Sequence, residues 1–142
     1  MRSKFLMCGI IFVLFFLSGM LSINVKGGSD MQSIKSKKVV MIIASNNFRD
    51  EELLKPKEVL ERNGVAVTVA SSSLKESTGM LGAKVKPDIL FININVADYD
   101  AVIFVGGSGA TEYWDNPTAH KIAKDAYSAE KIVGAICIAP VT

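Results

Sequence analysis

Metal-ligand spacing is missing from this sequence. Its two cysteines, Cys8 and Cys137, lie far apart, its single histidine is His120, and no CxxC or Cys/His cluster occurs. That pattern excludes a zinc site and a disulfide framework. Charge of one sign is equally scarce in the body. The 16 basic and 14 acidic residues include Arg2, Lys4, Lys26 and Asp30 before Lys35, which leaves 13 of each from there onward. A neutral body without a basic stripe argues against nucleic acid as a partner. The glycine cluster Gly106-Gly107-Ser108-Gly109 lacks G-x-G-x-x-G and a following Lys-Ser/Thr, so it carries no phosphate-loop signature. Repeats are absent as well. No cofactor and no metal are expected.

What the sequence does contain begins with an apolar N-terminus. Arg2 and Lys4 precede Phe5–Ile23, an uncharged run whose length is close to the ~20 residues that span a bilayer. The pattern reads as a signal peptide or membrane anchor over residues 1–23, and no A-x-A cleavage site follows it. A membrane-associated or extracytoplasmic location is therefore expected. Lys26, Lys35, Lys37 and Lys38 follow the run and would favour the opposite orientation for an uncleaved anchor. Residues 24–37 read as a polar linker.

From residue 38 the chain alternates apolar strands with helices. Val39–Ala44 is a continuous apolar run, as a parallel strand covered on both faces requires. Asp50-Glu51-Glu52 places acid in a first helical turn that leads to Arg62, and Asn63-Gly64 stops the helix. Pro56 marks either a kink or the start of the main helix. Val65–Ala70 is a second strand. Ser71–Gly82 reads as a polar loop, and Ala83–Asn95 as irregular or hairpin strands. Ala101–Val105 is a strand ending in the glycine cluster, Asn116-Pro117 opens a helix to about Ser128, and Ile132–Ile136 is expected to be a buried strand. Such alternation means an α/β fold with a mostly parallel sheet.

Cys137 follows that last strand, with Ala135 and Ala139 two residues away on either side and Pro140 suited to a first helical turn. This is the small–x–nucleophile–x–small spacing of a strand-to-helix elbow. A helix beginning there would favour thiolate over thiol through its dipole and free N–H groups. The alternative is a small apolar residue in a buried strand. In parallel sheets, sites form beyond the carboxyl ends of the strands, and Glu52, Gly106–Gly109 and Cys137 all fall there. Backbone N–H groups of the glycines suit an oxyanion hole. Glu52 can also be a plain helix-terminal acid. His120 reads as a solvated mid-helix residue, and Tyr113 and Trp114 as packing or interface residues.

The blocks KVVMIIASNNFRDEELLKPKEVLERNGVAVTVAS, DYDAVIFVGGSGATEYWDNP and VGAICIAP, in that order, resemble the ThiJ/PfpI family, which includes the parkinsonism-linked redox protein. The resemblance implies a flavodoxin-like sandwich with Cys137 as nucleophile at the elbow. It implies that Glu52, four residues before Pro56, hydrogen-bonds the thiol, and that the N–H groups of Gly106, Gly107 and Ile138 form the oxyanion hole. Protease-like members carry histidine directly after the cysteine. Ile138 stands there instead, so peptides are not the expected substrate. The family domain continues beyond the elbow, which makes residues 38–142 a partial domain with C-terminal elements missing.

The expectation from sequence is thus a cysteine-dependent enzyme acting on small reactive aldehydes, in the manner of a glyoxalase or deglycase. The partner it implies is a small carbonyl compound. A membrane contact would come through Phe5–Ile23, and the resemblance, among whose members dimers are common, allows a homodimer. The rival expectation is a redox-sensing or protective protein in which Cys137 is oxidised without turnover, or an inactive fragment.

Overall fold

A computed structural model describes residues 34–141. The first strand, β1 (Lys38–Ile43), has five of its six residues buried, which is why its apolar run is unbroken. It continues into a three-residue strand, β2 (Asn46–Phe48), and then α1 (Asp50–Arg62). Asp50, Glu51 and Glu52 fill the first turn of α1, and Pro56 lies inside the helix rather than at its start. Gly64, at φ +82°, stops it, since a left-handed residue there costs glycine nothing. β3 (Ala66–Ser71), β4 (Ser77–Gly79), β5 (Lys84–Val85) and β6 (Ile89–Leu90) come next, followed by β7 (Ala101–Phe104), α2 (Pro117–Ser128) and β8 (Ile132–Ala135). Asn116 caps α2 by accepting from the N–H groups of Thr118 (2.9 Å) and Ala119 (3.2 Å).

Five strands form one sheet in the order β6-β3-β1-β7-β8, and every pairing in it is parallel. This is the α/β, flavodoxin-like arrangement expected from sequence. The chain runs outward from β1 to β3 and then returns to the other side of β1 with β7. The strand order therefore reverses between β1 and β7, which opens a crevice at their carboxyl ends. Among the described residues each face carries one α-helix. Leu53 of α1 packs with Met41, Ile43 and Val69 on one side. Ala119, Ile122 and Ala126 of α2 pack with Val40, Ile42, Val102 and Phe104 on the other.

Three expectations need correction. The polar loop expected over Ser71–Gly82 holds β4, which joins β2 and β5 in a second, small sheet in the order β2-β4-β5. Its two- and three-residue strands are too short to show a period in the sequence. The buried strand expected over Ile132–Ile136 is, among the described residues, an exposed edge: β8 pairs there with β7 alone, and Ile132 is 70% accessible. An apolar run meant for a strand flanked on both sides is here flanked on one. The expected signal-peptide, transmembrane and extracytoplasmic assignment, with its membrane partner, also fails to find support. Among the described residues no helix is long and apolar enough to cross a membrane; the longer of the two α-helices has 13 residues against the ~20 a bilayer needs. Phe5–Ile23 and Cys8 lie outside the described residues, as does the linker up to residue 33. Residues 34–37 rest on the body, where Ser36 N–H donates to Gly64 O at 3.2 Å and Lys37 pairs with Asp100 at 3.0 Å.

Candidate active site

The crevice is built around two glycines. Past the end of β7 the chain continues in line through Val105, whose N–H donates to Ile42 O at 2.9 Å, and delivers Gly106 and Gly107 to the carboxyl edge. A Cβ on Gly106 would lie 2.6 Å from Glu52 Oε2, 2.6 Å from Ile136 O and 2.8 Å from Cys137 Cβ. No side chain fits in that space. The carboxylate from α1, the glycine from β7 and the cysteine after β8 thus meet at one point. Gly107, at φ +99°, runs so close to residues 47–49 that a Cβ would be 2.4 Å from Arg49 N. Arg49 N–H in turn donates to Gly106 O at 2.9 Å, locking the glycine pair to the start of α1.

Glu52 is half-buried, and its Oε2 accepts from the N–H of Gly106 at 3.0 Å. Of the three amides expected to form an oxyanion hole, one is therefore already engaged by the carboxylate. The N–H groups of Gly107 and Ile138 have no intramolecular partner among the described residues, so these two can donate to an oxygen that develops negative charge.

Cys137 is exposed and sits at φ +58°. A non-glycine residue in that region stores on the order of 1–3 kcal/mol of strain and needs its surroundings to hold it there. The hold comes from a turn in which Ala139 N–H donates to Ile136 O at 3.0 Å. It also comes from Trp114, whose Nε1–H donates to Ile138 O at 3.0 Å. The elbow geometry expected from the flanking alanines is present. Pro140 lies in a 3-10 turn over Ala139–Val141, where the described residues end, so the thiol's setting is argued without a helix dipole.

Two further residues shape the site from behind, and sequence reasoning passed over both roles. Asp50 is buried, and accepts from the N–H groups of Leu81 at 2.8 Å and Ala83 at 2.7 Å. Burial pushes its carboxyl up, but those amides and the charge of Arg49 prevail and hold it below the usual carboxylate value. It ties α1 to the small sheet, whereas the acidic first turn suggested only a dipole role. Tyr113 is buried and donates its hydroxyl to Ile43 O at 2.9 Å, fixing the loop after the glycines to the end of β1. Its ionisation is pushed up by burial and by the nearby Glu112 carboxylate. His120, expected on a solvated face, is exposed, yet its Nε2 lies 2.6 Å from Trp114 O.

The sequence model of the DJ-1/PfpI family matches residues 37–142, leaving Phe5–Ile23 outside the match. An uncharacterized protein of Methanocaldococcus jannaschii is 42% identical over 78% of this chain and 54% of its own length. A deglycase of Pyrococcus horikoshii is 34% identical over 71% of this chain and 61% of its own. Among solved structures, a ThiJ/PfpI domain protein from Brachyspira murdochii superimposes with a TM-score of 0.72 at 32% identity, covering 75% of this chain and 62% of that one. The chain thus spans somewhat more than half the length of these relatives.

Proposed function

The chain belongs to the DJ-1/PfpI family, and from that premise we propose that Cys137, assisted by Glu52, acts on small reactive aldehydes of the glyoxal kind. The observation that carries the reading is the convergence of Glu52 Oε2 and Cys137 Cβ on the space beside Gly106. Relatives named deglycase and glutathione-independent glyoxalase support the substrate class. With Ile138 after the cysteine there is no adjacent imidazole to protonate a leaving amine, so aldehyde addition suits the site better than peptide cleavage.

In this reading the Cys137 thiolate adds to the aldehyde carbon. A C–S bond forms, the carbonyl electron pair moves to oxygen, and the N–H groups of Gly107 and Ile138 receive that oxygen. Protonation of the oxygen gives a hemithioacetal. Glu52, oriented by the Gly106 amide, takes the proton from the former aldehyde carbon and returns it to the neighbouring carbonyl carbon of a 2-oxoaldehyde, while the hydroxyl proton passes to that carbon's oxygen and leaves the thioester carbonyl behind. Water then cleaves the resulting thioester. The net change is one water added, a 2-hydroxy acid released and the thiol restored.

The exposure of Cys137 favours a second reading, in which two equivalents of peroxide each deliver one oxygen to the thiolate and leave as water, giving a sulfinate without turnover. The experiment incubates the chain with methylglyoxal and follows lactate by NMR. Many equivalents per chain, abolished in Cys137→Ser, support the enzyme. Stoichiometric adducts alone, with two oxygens added by mild peroxide, favour the second reading. Turnover that survives Cys137→Ser overturns both.

A further inference from the structure

The peptide that joins Ile138 to Ala139 is gripped at both ends. Its N–H donates to Ile136 O at 3.0 Å, and its C=O accepts from Trp114 Nε1–H at 3.0 Å. Once that plane is fixed, only the dihedrals of Ile138 itself decide where the Ile138 N–H points. Trp114 is fixed in turn. It stands at the end of the 3-10 segment Ser108–Tyr113, and its own carbonyl lies 2.6 Å from His120 Nε2. A carbonyl can only accept, so Nε2 is the protonated nitrogen of that ring. His120 rides on α2, anchored by its N–H to Asn116 O at 3.0 Å, and Asn116 caps the same helix.

We propose that His120 and Trp114 are positioning residues: together they form a hydrogen-bonded strut from α2 to the elbow that aims the Ile138 N–H at the reacting oxygen. The inference rests on the aldehyde reading above, and assigns work to two residues that the sequence marks only as surface and packing. The strut explains how an elbow on an exposed edge strand keeps its shape. The residue next to Cys137 is braced from α2, which packs on β8, not by the strand's own burial. Neither residue touches substrate. Their loss should misdirect an amide donor that matters when oxygen becomes negative, while leaving direct alkylation of the thiol, which creates no oxyanion, unchanged.

The test uses the full chain and three variants. Trp114→Phe keeps the apolar ring and deletes the donor; His120→Leu deletes the outer link; His120→Gln keeps an N–H close to the position of Nε2. For methylglyoxal, kcat should fall on the order of tenfold in Trp114→Phe and His120→Leu, with KM and the Cys137 iodoacetamide rate near wild type, and should recover in His120→Gln. An unchanged kcat in Trp114→Phe overturns the inference, and so does a kcat that falls in step with the alkylation rate. Trp114 is the only tryptophan, so its indole N–H gives one NMR signal that reads the strut without any turnover. That proton should exchange slowly in the wild type and in His120→Gln, and faster in His120→Leu; rapid exchange in the wild type overturns the strut. Absence of turnover together with a protected indole proton would instead place the failure in the aldehyde reading.

Discussion

The two halves of the candidate site are held in very different ways. Glu52 and the glycine pair sit where β1, β7 and α1 meet. Gly106 and Gly107 are buried there, and Arg49 N, Glu52 Oε2 and the backbone of residues 47–48 all lie against them. Cys137 stands on the opposite side, after an edge strand whose first residue is 70% accessible, and its elbow is kept by one turn and one indole. The first half is specified by packing, which is cooperative and resists change. The second is specified by a few hydrogen bonds of about 1 kcal/mol each, which makes it the half that loosens first.

Substitutions should reproduce this asymmetry. Leu53 follows Glu52 in α1 and is fully buried, so Leu53→Ala should lower stability by about 2–5 kcal/mol, measured as the shift in urea midpoint at constant slope. A substitution at Gly106 tests the junction itself. Gly106→Ala pushes a methyl into Glu52, Ile136 and Cys137 at once, for a loss of about 1–3 kcal/mol and a displaced carboxylate. If both variants melt like wild type, the packed half is not packed as described.

The acid limb of stability sharpens the comparison further. Asp50 in the packed half sits below its ordinary pKa because the Leu81 and Ala83 amides outweigh burial. Asp100, by β8, is lowered chiefly by the Lys38 amide and by Lys37. A depressed folded pKa contributes stability that is fully present above the unfolded value near ~3.9 and is lost as pH falls through the lower folded value. Urea midpoints should therefore drop between neutral pH and about pH 3. Asp50→Asn should be less stable at neutral pH and show a smaller drop. An unchanged drop would mean that the Asp50 amide bonds do not persist in solution. The smallest effect belongs to the edge: Ile132→Ala should change stability by about 0.5 kcal/mol or less, and a core-sized loss there would mean that β8 is covered.

The same asymmetry governs how much could be read from sequence. β1, α1 and α2 were legible because their signals are local: an unbroken apolar run, an acidic first turn, Asn116 before Pro117, Gly64 as stop. The meeting of Glu52, Gly106 and Cys137 at one edge was legible too, since the carboxyl ends of parallel strands share an edge. Burial of β8 was not, because it depends on what lies beside the strand; Ile132–Ile136 has the composition of a central strand and occupies an edge. The small sheet escaped because two-residue strands have no period. Asp50, Trp114 and His120 were visible as residues but not in their roles, since each bonds to backbone atoms more than five residues away in sequence. Only the folded chain brings those partners together.

The central claim is that Cys137 and Glu52 form one site, although one stands on the exposed edge and the other in the packed corner. Methylglyoxal turnover should be compared among wild type, Cys137→Ser, Glu52→Gln and the double variant. Each single change should cost on the order of a hundredfold or more, and the double variant should be no worse than the poorer single one, because groups that act as a unit do not fail additively. Losses that multiply, or a Glu52→Gln enzyme as fast as wild type, would contradict the account.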